Sequence, residues 1–437
     1  MSPFLPLFLA LPGCAPGAVL DEPGHAVAAE ATASANPESV RPAPLGCTEL
    51  AGGVYTVDAP YLAQEADLEG LRRQCQVPVH PLAGASGQTL RLTLTHWDAP
   101  SAPQVQVVDL LGDSVAPSQP LAPGETLTLV LPSTGEHFLR LDPADPAGPS
   151  HTYGLALRCF DGCERAYTRY PLVLMHGAGG ADAFLDVLTY FYDVPETLMD
   201  LGYAVAWPAV DPVAGYADRA AQWQGHLDQL HAEGVGRRFN LIAHSQGGVD
   251  ARYLASGLAD ERVVSVTTIS TPHHGTPVAD VALGLVTGLG LDSWQVDLAL
   301  AELGGWLGVG ELAALDQLAD LSTDGMAAFN LAHPDVPGVW YTSWAGHSCD
   351  WLDWDCQGDQ GGEVVTPFLA TSHWINSLVA GANDGMVPVS SAVWGDYLGE
   401  FSADHFDEVG QIAGAVEAFD HRAFYVGEAQ RLFERGL

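Results

Sequence analysis

The stretch Phe239-Asn240-Leu241-Ile242-Ala243-His244-Ser245-Gln246-Gly247-Gly248-Val249 decides the reading of this chain. Phe239 to Ile242 is an apolar run of strand length, and Val249 to Leu258 reads as a helix. Between them lie six residues, four of them small or glycine. A strand that passes into a helix through so short a turn must push Ser245 out of the sheet, with backbone N–H groups of the helix N-terminus beside it. Ala243 and Gly247 are small because a larger Cβ would strike neighbouring backbone. A short motif also recurs by accident, and a serine loop before an ordinary helix is the competing reading.

Working outward, Tyr170-Pro171-Leu172-Val173-Leu174-Met175-His176-Gly177-Ala178-Gly179-Gly180 reads as a buried strand entering a glycine-rich turn. Val263 to Ser270 is β-branched and ends in Thr271-Pro272-His273-His274-Gly275. Strands near 171–175, 203–207, 239–243 and 263–270 alternate with helices over 182–200, 217–233 and 246–258. That alternation predicts a mainly parallel sheet covered on both faces. Downstream stand Asn383-Asp384-Gly385 and His405-Phe406-Asp407. A serine hydroxyl does not ionise near neutral pH, so a histidine must take its proton and a carboxylate must orient that histidine. Ser245, Asp384 and His405 run in the chain order of the α/β-hydrolases. On spacing alone, Asn-Asp-Gly is also a common turn, and His405 is one of 16 histidines.

Over residues of about 169–437 the chain resembles the bacterial true-lipase family, the Pseudomonas and Burkholderia type of triacylglycerol lipase. YPLVLMHG, FNLIAHSQGG, VVSVTTISTPHHGT, STDGMAAFN, ANDGMV and HFDEVGQ carry the resemblance. It implies an α/β-hydrolase domain over 165–437 that cleaves lipid carboxylic esters at an interface through an acyl-enzyme. Ser245 would be the nucleophile, His405 the general base and Asp384 its orienting carboxylate. The oxyanion hole would come from the N–H groups of Ala178 and Gln246. A lid is implied over 277–312, with a folding chaperone as a candidate partner. The resemblance also implies a structural calcium ion on Glu363, Asp407, Gln411 and the carbonyl of Ala415, with Asp359 as a lesser stand-in for Glu363. Oxygen-only ligation suits calcium. Relatives carry aspartate at the Glu363 position, and Ser390 stands where the family's disulfide would need a cysteine. His244, His273 and His274 read as structural. A phospholipase or short-chain esterase on the same fold is the alternative, as is a surface-binding protein with a relic hydrolase domain. No organic cofactor is expected.

Ahead of this domain, residues 46–160 hold short alternating segments, 90–95, 105–108, 126–130, 138–141 and 153–157, bounded by Pro, Gly, Asp or Ser. They predict a small all-β sandwich or jelly roll. Residues 15–45 are rich in Ala, Pro, Glu, Ser and Gly and read as a disordered tether. Residues 1–14 resemble a signal segment ending in Leu-x-Gly-Cys, so export is expected, to the medium or as a cell-surface lipoprotein tethered through Cys14. The other six cysteines allow three disulfides in fifteen arrangements. Cys349 with Cys356, Cys159 with Cys163 and Cys47 with Cys75 are the expected pairs. Net charge is −38, and all 16 basic residues are arginine. No basic face exists to neutralise phosphates, which excludes nucleic acid as a partner.

Overall fold

The computed structural model describes residues 55–62, 65–179, 190–285, 315–349, 364–411 and 419–437. Nine strands come first: β1 Tyr55–Asp58, β2 Ala66–Arg72, β3 Gln76–Gly84, β4 Thr89–Trp97, β5 Gln104–Val108, β6 Ser114–Pro120, β7 Thr126–Val130, β8 Gly135–Asp142 and β9 His151–Asp161. They form two sheets, ordered β1-β3-β8-β5-β6 and β2-β9-β4-β7. All pairings are antiparallel except β1 with β3. Leu90, Leu92 and Leu94 of β4 and Leu139 and Leu141 of β8 are fully buried in a core shared by the two sheets. The intervening side chains face outward, the period of two that a strand imposes. β3 holds Pro78 and Pro81, and β6 holds Pro117 and Pro120. Proline lacks the N–H of a ladder and hides such strands from a pattern search.

The second part runs β10 Leu172–Met175, α1 Val194–Leu201, β11 Val205–Ala206, α2 Tyr216–Ala232, β12 Phe239–His244, α3 Gln246–Ser256, β13 Val263–Ile269, α4 Pro277–Ala282, α5 Leu315–Leu321, α6 Thr323–Ala332, β14 Trp340–His347, α7 Ala370–Ala380, α8 Val389–Ala392, β15 Asp396–Ser402 and α9 His421–Glu434. Its six strands pair in the order β11-β10-β12-β13-β14-β15, every pair parallel. This is an α/β-hydrolase sheet. β12 and β13 are buried at every residue, as a strand covered on both faces must be. Val173, Met175, Leu241 and Ala243 pack with Trp223 and Leu227 of α2. The alternate residues Leu172, Leu174 and Ile242 pack with Leu198 of α1 and Tyr425 and Leu432 of α9. Of the helix expected over 182–200, residues 182–189 lie outside the described residues, 190–193 are a turn in which Asp193 has a left-handed φ of 57°, and α1 begins at Val194. Pro195, which suits only the first turn of a helix, sets that start.

The two parts are joined by a charge cluster. Glu136 of β8 is almost wholly buried and accepts from Arg169 and Arg237, each at 2.7 Å. Arg169 precedes β10 and Arg237 precedes β12, so the sandwich meets the N-terminal ends of the parallel strands. Ser245 lies at the other end of β12. Cys159 and Cys163 are disulfide-bonded. Cys75 and Cys349 are also in disulfides, with partners outside the described residues. Cys14, Cys47, Cys356, Asp359, Glu363, Ala415 and residues 286–312 of the expected lid also lie outside them.

Candidate active site

The turn between β12 and α3 has the geometry its residues require. Ser245 sits at φ 56°, ψ −132°, a strained region for a residue with a side chain. Its N–H donates to the Ile269 carbonyl at 2.9 Å, and Thr271 Oγ1 donates to its carbonyl at 2.7 Å. A Cβ on Gly247 would lie 2.5 Å from the Met175 carbonyl oxygen and 2.8 Å from that of His176. One on Gly177 would lie 2.6 Å from Ser245 Cβ. Gly177 and Gly247 bring the end of β10 and the start of α3 together around the serine, and Gly248 lets α3 approach Thr268 and Thr271 at the end of β13. The Gln246 N–H is in the first helical turn, where no helical carbonyl can accept it. Ala178 follows Gly177, which abuts Ser245, and is buried.

The other two sequence-selected residues arrive from distant loops. His405 follows β15, and its Nε2 is 2.9 Å from Ser245 Oγ. Its Nδ1 is 2.7 Å from Asp384 Oδ2. Asp384 Oδ1 accepts the N–H groups of Met386 at 2.8 Å and Val387 at 2.6 Å, which leaves Oδ2 to face the imidazole. Asn383 shapes this turn by accepting from Gly385 N and donating to the Gly381 carbonyl, both at 2.9 Å. Asp404 accepts from the N–H groups of Phe406, Asp407 and Thr366 and so sets the path of the His405 loop.

Sequence reasoning did not find a second buried chain beside the first. Tyr190 hydroxyl lies 2.7 Å from His244 Nδ1, and His244 Nε2 lies 2.8 Å from Glu408 Oε2. Ser270 Oγ donates to Glu408 Oε1 at 2.6 Å. The His244 and His405 rings are 4.5 Å apart. Burial, then the nearby Asp384 charge, pushes the Glu408 carboxyl well up. Burial, then His405, pushes His244 well down, so it is a neutral ring. His244, His405 and Glu408 are also close enough to share a metal ion. The contacts they make are those of hydrogen-bonded acid–imidazole pairs. His273, bonded to Thr268 at 2.9 Å, packs behind the elbow, and the His274 N–H donates to Ser391.

Below the elbow, fully buried Arg219 of α2 bonds Asp250 of α3 at 2.7 Å. It also donates to the His176 carbonyl at 2.6 Å. Burial, partly offset by Arg219, pushes the Asp250 carboxyl up to about 6. Of the expected calcium ligands, Asp407 and Gln411 are described. Asp407 is buried and begins a short 3-10 turn. Gln411 Nε2 donates to the Tyr190 carbonyl at 3.0 Å. Of the expected lid, α4 and Leu283 to Leu285 are described, and Leu285 is exposed.

Fold and site together define an α/β-hydrolase with a serine, a histidine and a carboxylate in one hydrogen-bonded line. No family model matches the chain. A triacylglycerol lipase of Vibrio cholerae is 31% identical over 299 residues, 62% of this chain and 89% of that one. A triacylglycerol lipase of Pseudomonas fragi is 30% identical over 298 residues, covering 62% of this chain and 98% of the relative. One from Burkholderia plantarii is 29% identical over 294 residues, 57% of this chain and 81% of the relative. The chain belongs to this family of bacterial triacylglycerol lipases. Among solved structures, Bacillus licheniformis lipase BlEst2 in its mature form overlaps 60% of this chain and 92% of that one, at 23% identity and a TM-score of 0.44.

Proposed function

We propose that the protein is a secreted triacylglycerol lipase or carboxylesterase acting through an acyl-enzyme on Ser245. The observation that carries this reading is His405, which touches Ser245 on one side and Asp384 on the other. With Nδ1–H donated to Asp384, Nε2 is left to accept the Ser245 proton. Ser245 Oγ then attacks the ester carbonyl while His405 takes its proton. The oxygen of the tetrahedral adduct meets the N–H groups of Gln246 and Ala178. Collapse breaks the ester C–O bond, and His405 returns the proton to the departing alcohol. Water repeats the sequence on the acyl-serine, with His405 again as base, and releases the acid. Two fixed donors matter because losing one typically costs roughly 10²–10³ in rate.

Asp407 and Gln411 would hold the calcium ion with two ligands from outside the described residues. Bound there, the ion would supply no chemistry beyond pinning the segment that carries His405. Disulfides at Cys75, Cys159, Cys163 and Cys349 support an oxidising compartment, and hence export.

The test is labelling by a fluorophosphonate, with hydrolysis of p-nitrophenyl esters and triglyceride emulsions alongside. Labelling of the wild type that disappears in Ser245→Ala is expected. A wild type that neither labels nor turns over any ester refutes the enzyme reading and leaves a surface-binding protein.

A further inference from the structure

Gln317 lies in α5 (Leu315–Leu321), 72 residues from the nucleophile in sequence, and its side chain is buried. Its amide nitrogen donates twice. One proton goes to Gln246 Oε1 at 2.6 Å and the other to the Pro212 carbonyl at 3.1 Å. Gln246 is the residue after Ser245, whose backbone N–H is one proposed oxyanion donor. The same Pro212 carbonyl accepts the N–H of Gly179 at 2.9 Å, and Gly179 follows Ala178, the other proposed donor. A single amide group therefore ties the two halves of the oxyanion hole, which belong to different strand–helix junctions. Gln246 completes the frame by donating Nε2 to the Ala214 carbonyl at 3.1 Å. Asp320, one turn along α5, accepts the Tyr216 N–H at 3.2 Å and fastens α5 to the same 212–216 loop.

The other atom of the Gln317 amide sharpens the case. Its Oε1 is buried with no hydrogen-bond partner among the described residues. Burying an unsatisfied carbonyl is unfavourable, a cost that a leucine would avoid while leaving the buried Gln246 Oε1 without its donor, so the two effects on stability oppose each other. The amide costs the fold something, and its two donated bonds are what it contributes.

We propose that Gln317 is a positioning residue for the oxyanion hole, setting the spacing of the Gln246 and Ala178 N–H groups through Gln246 Oε1 and the Pro212 carbonyl. This rests on the serine-esterase reading above. Its action is on the geometry that meets the transition state, so it should move kcat and leave KM.

The experiment compares Gln317→Leu and Gln317→Glu with the full-length wild type. Gln317→Leu keeps the bulk without the donors. Gln317→Glu keeps the shape but presents an acceptor to two acceptors. Three readouts are taken: kcat and KM on p-nitrophenyl butyrate, the second-order rate of fluorophosphonate labelling, and Tm. Both variants should lose about tenfold in kcat and in labelling rate, as sub-ångström misplacement of catalytic donors does. KM should stay within twofold, and the Tm of Gln317→Leu should stay within a few degrees of wild type, since the stranded Gln246 acceptor is offset by removal of the unsatisfied Gln317 carbonyl. A kcat within twofold of wild type in Gln317→Leu overturns the assignment. So does a loss of activity in both variants that tracks a fall in Tm or folded fraction, which makes Gln317 a packing residue. Failure of the wild type itself to label sinks the esterase reading instead, and the two failures cannot be confused.

Discussion

Gly247→Ala puts the elbow's steric logic to a quantitative test. The new methyl would stand 2.5 Å from the Met175 carbonyl oxygen, about 0.9 Å inside the 3.4 Å at which ordinary contact begins. Neither partner is a side chain that can swing away. One is the end of β10 and the other the first turn of α3. β10 is held by its ladder to β12 and by Arg219 on the His176 carbonyl, so the strain must open the gap between the two elements. Ala178 and Gln246 sit on either side of that gap, and their N–H groups should separate by a large part of an ångström. A misplacement of about 1 Å can cost on the order of 10²-fold in rate, or about 2.7 kcal/mol in the barrier. Overpacking should also cost about 1–3 kcal/mol of stability. The assay is kcat and KM on p-nitrophenyl butyrate, corrected for the folded fraction at the same temperature. A folded Gly247→Ala enzyme with kcat within threefold of wild type would show that the two elements part without disturbing the donors, and the reasoning fails.

Asp384→Asn should lower kcat by about 10³–10⁴ at nearly constant Tm. Its oxygen stays on the Met386 and Val387 N–H groups, so its NH₂ faces His405 Nδ1 and forces the wrong tautomer; loss under tenfold contradicts this. Glu136→Ala should cost about 2 kcal/mol in urea unfolding, by stranding two partly solvated arginines, and should leave kcat unchanged because the cluster is at the far end of the sheet. A carboxyl raised in the fold, as Asp250 is to about 6, holds its proton more tightly folded than unfolded. Its contribution to stability is therefore complete below about pH 4 and declines as pH rises towards 6. Melts of wild type and Asp250→Asn at pH 4 and pH 7 should differ in that sense, with Asp250→Asn removing that share of the slope. A chelator should lower the wild-type Tm but not that of Asp407→Ala; equal response in both removes calcium from that loop.

Much of this protein was legible before any coordinates. The elbow is local: a buried strand, a forced turn and a helix start follow from ten consecutive residues, because sterics between neighbours decide them. The same holds for β10, an unbroken apolar run, and for β13, a β-branched one, both of which read as covered strands. The prolines of β3 and the mostly exposed β6 gave no such signal, because sheet partners, not propensity, hold those segments extended.

Resemblance and chain order selected Asp384 and His405, but their meeting at Ser245 is a property of the folded chain. Asp384 closes a loop after α7, His405 closes one after β15, and the parallel sheet delivers both to one end. Glu408, Tyr190, Arg219 and Gln317 carry no mark in sequence. An acid in HFDEVGQ or a glutamine in a leucine-rich helix looks like any solvated residue until packing removes the water. Sequence determined which groups could react and where the chain must turn, since those depend on residue type and near neighbours. Tertiary structure alone decided which distant side chains meet in one buried site, where hydrogen bonds shielded from water hold a reacting geometry.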